Sequence, residues 1–259
     1  MSDNIIKFFS AIILAVVVFI NSIGNTIGIG DIIPTAPAEE PTTTVTETFD
    51  EAAAAEFLAF LNAETAKIAE EGSYRLERCA EYTEPINVGG ATDVLNGIIS
   101  AIDENSNLDT IVGDYFGIGV KEADVPEDYV MEDYMLKATN LRASDLTAFS
   151  EENGVYNFTI ENATNPKKNG VAAVSNFTND FVTEEEVAAE IARLTTIITV
   201  NDSNVEYTDI KVSVTVEDGK IKEMKYSYDM DAEISLKAVI NIRGTGAIRT
   251  EASYTNIEY

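Results

Sequence analysis

The most regular pattern in the chain lies in its C-terminal third. Ile210, Val212, Val214 and Val216 alternate with polar residues, and Asp218-Gly219 follows as a two-residue turn of type I′. On the return, Met224, Tyr226, Tyr228, Met230, Ala232, Ile234, Leu236, Ala238 and Ile240 share one face. Glu223, Lys225, Ser227, Asp229, Asp231, Glu233, Ser235 and Lys237 share the other. This period of two outlasts an ordinary strand of about 5–6 residues. Gly244-Thr245-Gly246 predicts another turn, and Ile248 to Asn256 a last strand.

Upstream the period changes. Asp50 is placed to cap a helix whose face is Phe57, Leu58, Leu61, Thr65 and Ile68, with Gly72 as a C′ residue. A strand follows, with Tyr74, Leu76, Arg78, Ala80 and Tyr82 on one side and Arg75, Glu77, Cys79 and Glu81 on the other. Pro85 and Gly89-Gly90 break it, and a second helix is predicted from Ala91 or Thr92 to Ile102. Asp103 to Asp133 reads as acidic and irregular. Leu136 to Leu141 predicts a strand, Ala143 to Ser150 a short helical turn, Val155 to Ile160 a strand and Asn165 to Gly170 a turn. Thr183-Glu184-Glu185-Glu186 is a capping box opening a helix with Val187, Ile191, Leu194 and Ile198 on its stripe.

Strands with one apolar face need cover, and the helices must supply it. The pattern therefore predicts an α+β fold: a long, curved antiparallel sheet, half-barrel-like, with helices packed on its apolar face.

The N-terminus obeys a different rule. Phe8 to Gly30 carries no charge, with Lys7 before it and Asp31, Glu39 and Glu40 after it. Its length fits a bilayer span, and its dense core, Phe8 to Ile20, fits a signal peptide. Residues 1–30 thus read as a signal peptide or an N-terminal transmembrane anchor. Residues 31–49 read as a Pro/Thr/Glu-rich linker and 50–259 as one extracytoplasmic α+β domain. The chain is expected to be secreted, or anchored in the membrane through residues 8–30 if they are not cleaved.

Composition narrows the chemistry. Of 259 residues, 45 are acidic and 17 basic, a net charge of −28, with no His, no Trp and one Cys. The missing His removes Ser-His-Asp triads, Cys-His pairs and imidazole metal sites. A lone Cys removes intramolecular disulfides and Cys-rich zinc sites. Nucleic acid would repel such a polyanion.

Two clusters carry candidate chemistry. Arg78 falls by parity on an apolar strand face, where a charge needs a partner. With Tyr74 and Tyr82 beside it, it would hold the anionic head of a ligand. The bland readings are a bulge that reverses parity or a buried pair with an Asp or Glu from the covering layer. The second cluster is Asp103, Asn105, Asn107, Asp109 and Asp114, which follows the start of a calcium loop. It departs from that loop at Leu108, where a turn Gly belongs, and at Asp114, where a bidentate Glu belongs. Its bland reading is an Asx-rich helix terminus. Calcium is the one cofactor the sequence raises.

The ending Lys225-Tyr226-Ser227-Tyr228 to Tyr254-Thr255-Asn256, after Val216-Glu217-Asp218-Gly219-Lys220, resembles uncharacterised exported proteins of anaerobic Gram-positive bacteria. That resemblance implies an extracytoplasmic location and no activity. The expected topology is similar in outline to half-barrel lipid carriers of the LolA and mycobacterial lipoprotein kind.

The expectation is a non-enzymatic binding module, secreted or surface-anchored, holding a lipid or other apolar or amphipathic ligand between sheet and helices or meeting a protein partner. The alternatives are a structural or adhesive surface protein with a closed core, and a carboxylate-based hydrolase.

Overall fold

The computed structural model describes residues 49–93, 96, 97, 100, 104–194, 199–237 and 241–259. The expected leader, most of the linker, and Asp103 and Ile198 lie outside these residues. Among the described residues no helix is long and apolar enough to cross a membrane.

Helix α1 (Glu51–Glu71) starts where Asp50 accepts hydrogen bonds from the Ala52 and Ala53 amides, each at 3.0 Å. Its buried stripe is Ala54, Phe57, Leu58, Leu61, Thr65 and Ile68. Then come β1 (Ser73–Asn87), α2 (Leu108–Phe116), β2 (Gly119–Val125), β3 (Leu146–Glu152), β4 (Val155–Ile160) and β5 (Ala163–Thr164). The chain continues through α3 (Ala173–Phe177), α4 (Glu184–Leu194), β6 (Thr199–Glu217), β7 (Lys220–Lys237) and β8 (Asn241–Glu258).

All neighbouring strands run antiparallel, in the order β2-β1-β8-β7-β6-β4-β3, with β5 on β6. The fold is therefore α+β on a long, curved antiparallel sheet. Alternation fixes its two faces. Leu76, Val212, Val214, Met224, Tyr226, Tyr228 and Tyr254 point into the core, and Glu77, Ser213, Lys225, Ser227 and Ser253 point out. The β6–β7 hairpin turns at Asp218 (φ 52°) and Gly219 (φ 70°), as a type I′ turn requires.

The cover is only partly helical. Phe57 of α1 stacks on Tyr156 at 4.0 Å between ring centroids, and Phe177 of α3 meets Phe158 and Tyr226 edge-on. The rest is extended chain. Residues 136–141 pair with no strand. Asn62 of α1 instead accepts from the Leu141 amide (3.0 Å) and donates to the Leu141 carbonyl (2.9 Å). Thr65 accepts from the Thr139 amide at 3.0 Å. Side chains of a helix thus satisfy a backbone that would otherwise need a ladder.

Four expectations are corrected. The segment after Asp103 holds α2, opened by a capping box between Asn107 and Thr110, and the edge strand β2. Strand β1 runs through Pro85, with register shifts between Tyr82 and Asn87 absorbing it. Gly244 and Gly246 sit inside β8, opposite Ile234 and Ala232, and form no turn. A Cβ on Gly246 would stand 2.6 Å from Cδ1 of Ile86, so the residue serves close approach. Only Ala143–Asp145 of the expected helical turn is helical, as a 3-10 turn.

Candidate functional site

Arg78 keeps the parity of its strand. The register of β1 with β2 and β8 is unbroken on either side of it, so no bulge turns it outward. The side chain is 3% exposed, as is its partner Asp180, which lies between α3 and α4. Nε donates to Oδ2 at 2.7 Å and Nη2 to Oδ1 at 3.0 Å, fork against fork. Nη1 donates to the Gly117 carbonyl at 2.9 Å. Gly117 ends α2 in the left-handed region (φ 67°), and a Cβ there would lie 2.2 Å from the Tyr134 hydroxyl. Only glycine brings that carbonyl to Arg78 beneath Tyr134. The Tyr134 ring itself stands 4.3 Å from the guanidinium carbon.

Asp180 is equally engaged. Its Oδ2 accepts from the Tyr226 hydroxyl (2.8 Å), its carbonyl from the Tyr228 hydroxyl (2.7 Å), and its amide donates to Thr178 Oγ1 (3.0 Å). Burial works against the charge on Arg78, but the Asp180 carboxylate overrides it, so the guanidinium pKa is raised. Burial also raises the hydroxyl pKa values of Tyr226 and Tyr228. These phenols stay neutral donors.

Above this network a cleft of about 390 Å³ opens between the apolar face of the sheet and its cover. Arg78, Asp180, Tyr228 and Thr250, all nearly inaccessible, form its base. Phe116, Phe181, Val182, Met230 and Ile248 form the walls, and Met131, 51% exposed, forms a lip. Asp133 and Glu186, each 40% exposed, stand at the rim.

Tyr74 and Tyr82 do not line this cleft. The Tyr74 hydroxyl accepts from the Leu136 amide at 2.9 Å, and its ring meets Tyr254 edge-on. The Tyr82 hydroxyl donates to the Asp109 carbonyl at 2.8 Å. Tyr134 and Tyr228 take the places beside Arg78. Asp180 escaped the sequence reading, although its setting between Phe177 and Phe181 was a hint that it turns inward.

Two of the expected calcium ligands, Asn107 and Asp109, hold backbone amides. Asn107 caps α2 through the Thr110 amide at 2.9 Å, and Asp109 accepts from the Ile86 amide at 2.7 Å. Asn105 lies in the turn before α2 and Asp114 within it. Among the described residues no three His, Cys, Asp or Glu side chains are grouped to hold a metal ion.

The other face of the sheet is open and concave, a trough of about 750 Å³. Register explains it. Ser150, Asn157, Ser213, Lys225, Ser253, Glu77 and Glu122 form one row, a residue from each strand of the main path. The next row carries Lys211, Ser227, Glu251 and Cys79. Short hydroxyl side chains at the centre leave the hollow, and both edge strands contribute to its walls.

Fold and cleft define a curved-sheet α+β domain with a small, amphipathic cleft beneath its cover. No known protein family, curated protein or solved structure matches the chain.

Proposed function

We propose that the protein is a non-enzymatic binding module, secreted or surface-anchored, that holds a small apolar or amphipathic ligand between its sheet and the covering segments. The observation that carries this reading is the cleft of about 390 Å³ with apolar walls and a polar base. Its size falls at the small end of ligand sites, which run from about 300 to 1,000 Å³. The base supports binding over catalysis, because both charges there are already spent on each other and on fixed neighbours. The uncharged Phe8–Gly30 segment supports export, and the acidic excess suits a solubilising coat.

Native mass spectrometry of the protein purified from cells tests this. A small co-purifying molecule is expected, and Ile248→Trp, which fills the cleft, should abolish it. A bare chain that also takes up no apolar dye would remove the reading.

A second reading, an adhesive surface protein with a closed core, is favoured by the trough of about 750 Å³ on the uncovered face. A bare chain that binds cell surfaces, and loses binding on Lys225→Glu, would support it.

A further inference from the structure

We infer that the cleft selects a cationic amphiphile, a single apolar chain ending in an ammonium or guanidinium group. This rests on the binding reading above and names the ligand class.

The base does not welcome an anion. Arg78 is already gripped by a bidentate carboxylate. An anionic head could take it only by stranding the buried charge of Asp180, which is strongly unfavourable.

The rim, by contrast, is a box for a cation, and an ammonium of the chain's own already sits in it. Lys168 Nζ lies 3.3 Å from Asp133 Oδ1 and 3.8 Å from Glu186 Oε1. It stands 4.7 Å from the centroid of the Phe181 ring and donates to the Asn179 carbonyl. Two carboxylates, a ring face and a carbonyl are the groups that recognise an ammonium. Lys137, nearby, is committed to the Ser175 carbonyl and to Asn179 Oδ1. Lys168 lies in the turn before α3 between exposed Lys167 and Asn169, and its side chain retains 22% exposure, which leaves its long stem a path outward to yield its place. A ligand with its ammonium in the box would lay its chain along Phe181, Met230 and Ile248. The net charge of −28 adds a field that gathers cations and repels fatty-acid anions.

The test uses the purified full chain with octylamine, octanoate and octanol, all water-soluble, read by calorimetry. Octylammonium should bind about tenfold or more tighter than octanoate, a difference of about 1.4 kcal/mol. Asp133→Asn with Glu186→Gln should erase that preference, and Lys168→Met should tighten octylammonium. Octanoate binding as well as octylammonium, while Ile248→Trp still blocks octanol, would overturn the inference and leave the cleft standing. No binding by any probe would remove the cleft reading and the inference together. So would binding untouched by Ile248→Trp and by Ala189→Trp, the exposed alternative should the first fail to fold.

Discussion

Arg78 and Asp180 stand 102 residues apart in the chain and 2.7 Å apart in the fold. Their pairing ties the second strand of the sheet path to the segment that leads into α4. It also makes the floor of the cleft a fixed surface. Two ions buried to 3% exposure cost several kcal/mol each in lost hydration, and only near-complete hydrogen bonding repays that.

Removing one partner should therefore cost far more than removing both. Arg78→Met leaves the Asp180 carboxylate buried without its counter-ion, and a loss of about 3–5 kcal/mol is expected. The double variant Arg78→Met with Asp180→Leu should recover much of it, the non-additivity expected of a contacting pair. Urea unfolding of both variants, of Asp180→Leu alone and of the parent chain measures it. A single variant costing less than about 1 kcal/mol would show the pair to be solvated.

The second prediction concerns the cover. Asn62 makes three bonds to the 139–141 backbone and to Thr139 Oγ1, at 2.8–3.0 Å. Asn62→Ala should cost about 1 kcal/mol or more for each group left unpaired. Hydrogen exchange would localise the effect: the Leu141 amide should lose protection while β7 keeps it. Uniform loss across the sheet would place the damage elsewhere.

Legibility in the sequence followed the range of the interaction. The faces of α1, β6 and the first half of β7 depend on neighbours two to four residues away, and the pattern names them correctly. Arg78 was visible as an inward charge by parity alone. Its partner was not, because 45 acidic residues compete for the role and the pairing spans 102 positions. The extended 136–141 segment read as a strand because its residues suit one, yet its amides donate to side chains of α1 and β1 and to the Asn176 carbonyl of α3. Gly244 and Gly246 read as a turn, because space for Ile86 leaves the same residue behind as a positive φ does. The trough could not be read at all, since it depends on strand order and curvature.

Gly72 separates those two uses of glycine. A C′ glycine would be left-handed and replaceable by Asn. Here Gly72 is extended, at φ −77°, and a Cβ would lie 2.6 Å from the Ile68 carbonyl oxygen and 2.8 Å from its Cα. Those atoms are backbone and cannot turn aside. Gly72→Ala and Gly72→Asn should both destabilise by about 1–3 kcal/mol, the cost of overpacking. Gly219→Asn, at φ 70° with open space around it, should cost less, about 1 kcal/mol for the left-handed backbone alone, which Asn tolerates better than most residues. Thermal melts of the three variants decide it, and a well-tolerated Gly72→Asn would defeat the steric account.

The last prediction concerns alkaline pH. Burial raises the hydroxyl pKa values of Tyr207, Tyr226, Tyr228 and Tyr254 above the ordinary 10.0. Tyr259 is pushed up to about 12, by burial and then by its hydrogen bond with Glu64. Each group is held protonated by the fold and ionises more readily in the unfolded chain. Their contribution to stability is therefore complete below pH 10 and is lost as pH rises beyond it, for Tyr259 between 10.0 and about 12. The unfolding free energy should fall steadily above pH 10. The buried phenolates should appear together, in one cooperative step that coincides with loss of the near-ultraviolet dichroism. Tyr226→Phe removes one of these groups and should make the decline shallower, after its cost at neutral pH is subtracted. Phenolate absorbance followed beside dichroism checks both points. Smooth titration of all eleven tyrosines near pH 10 in a chain that stays folded would contradict the burial of this cluster.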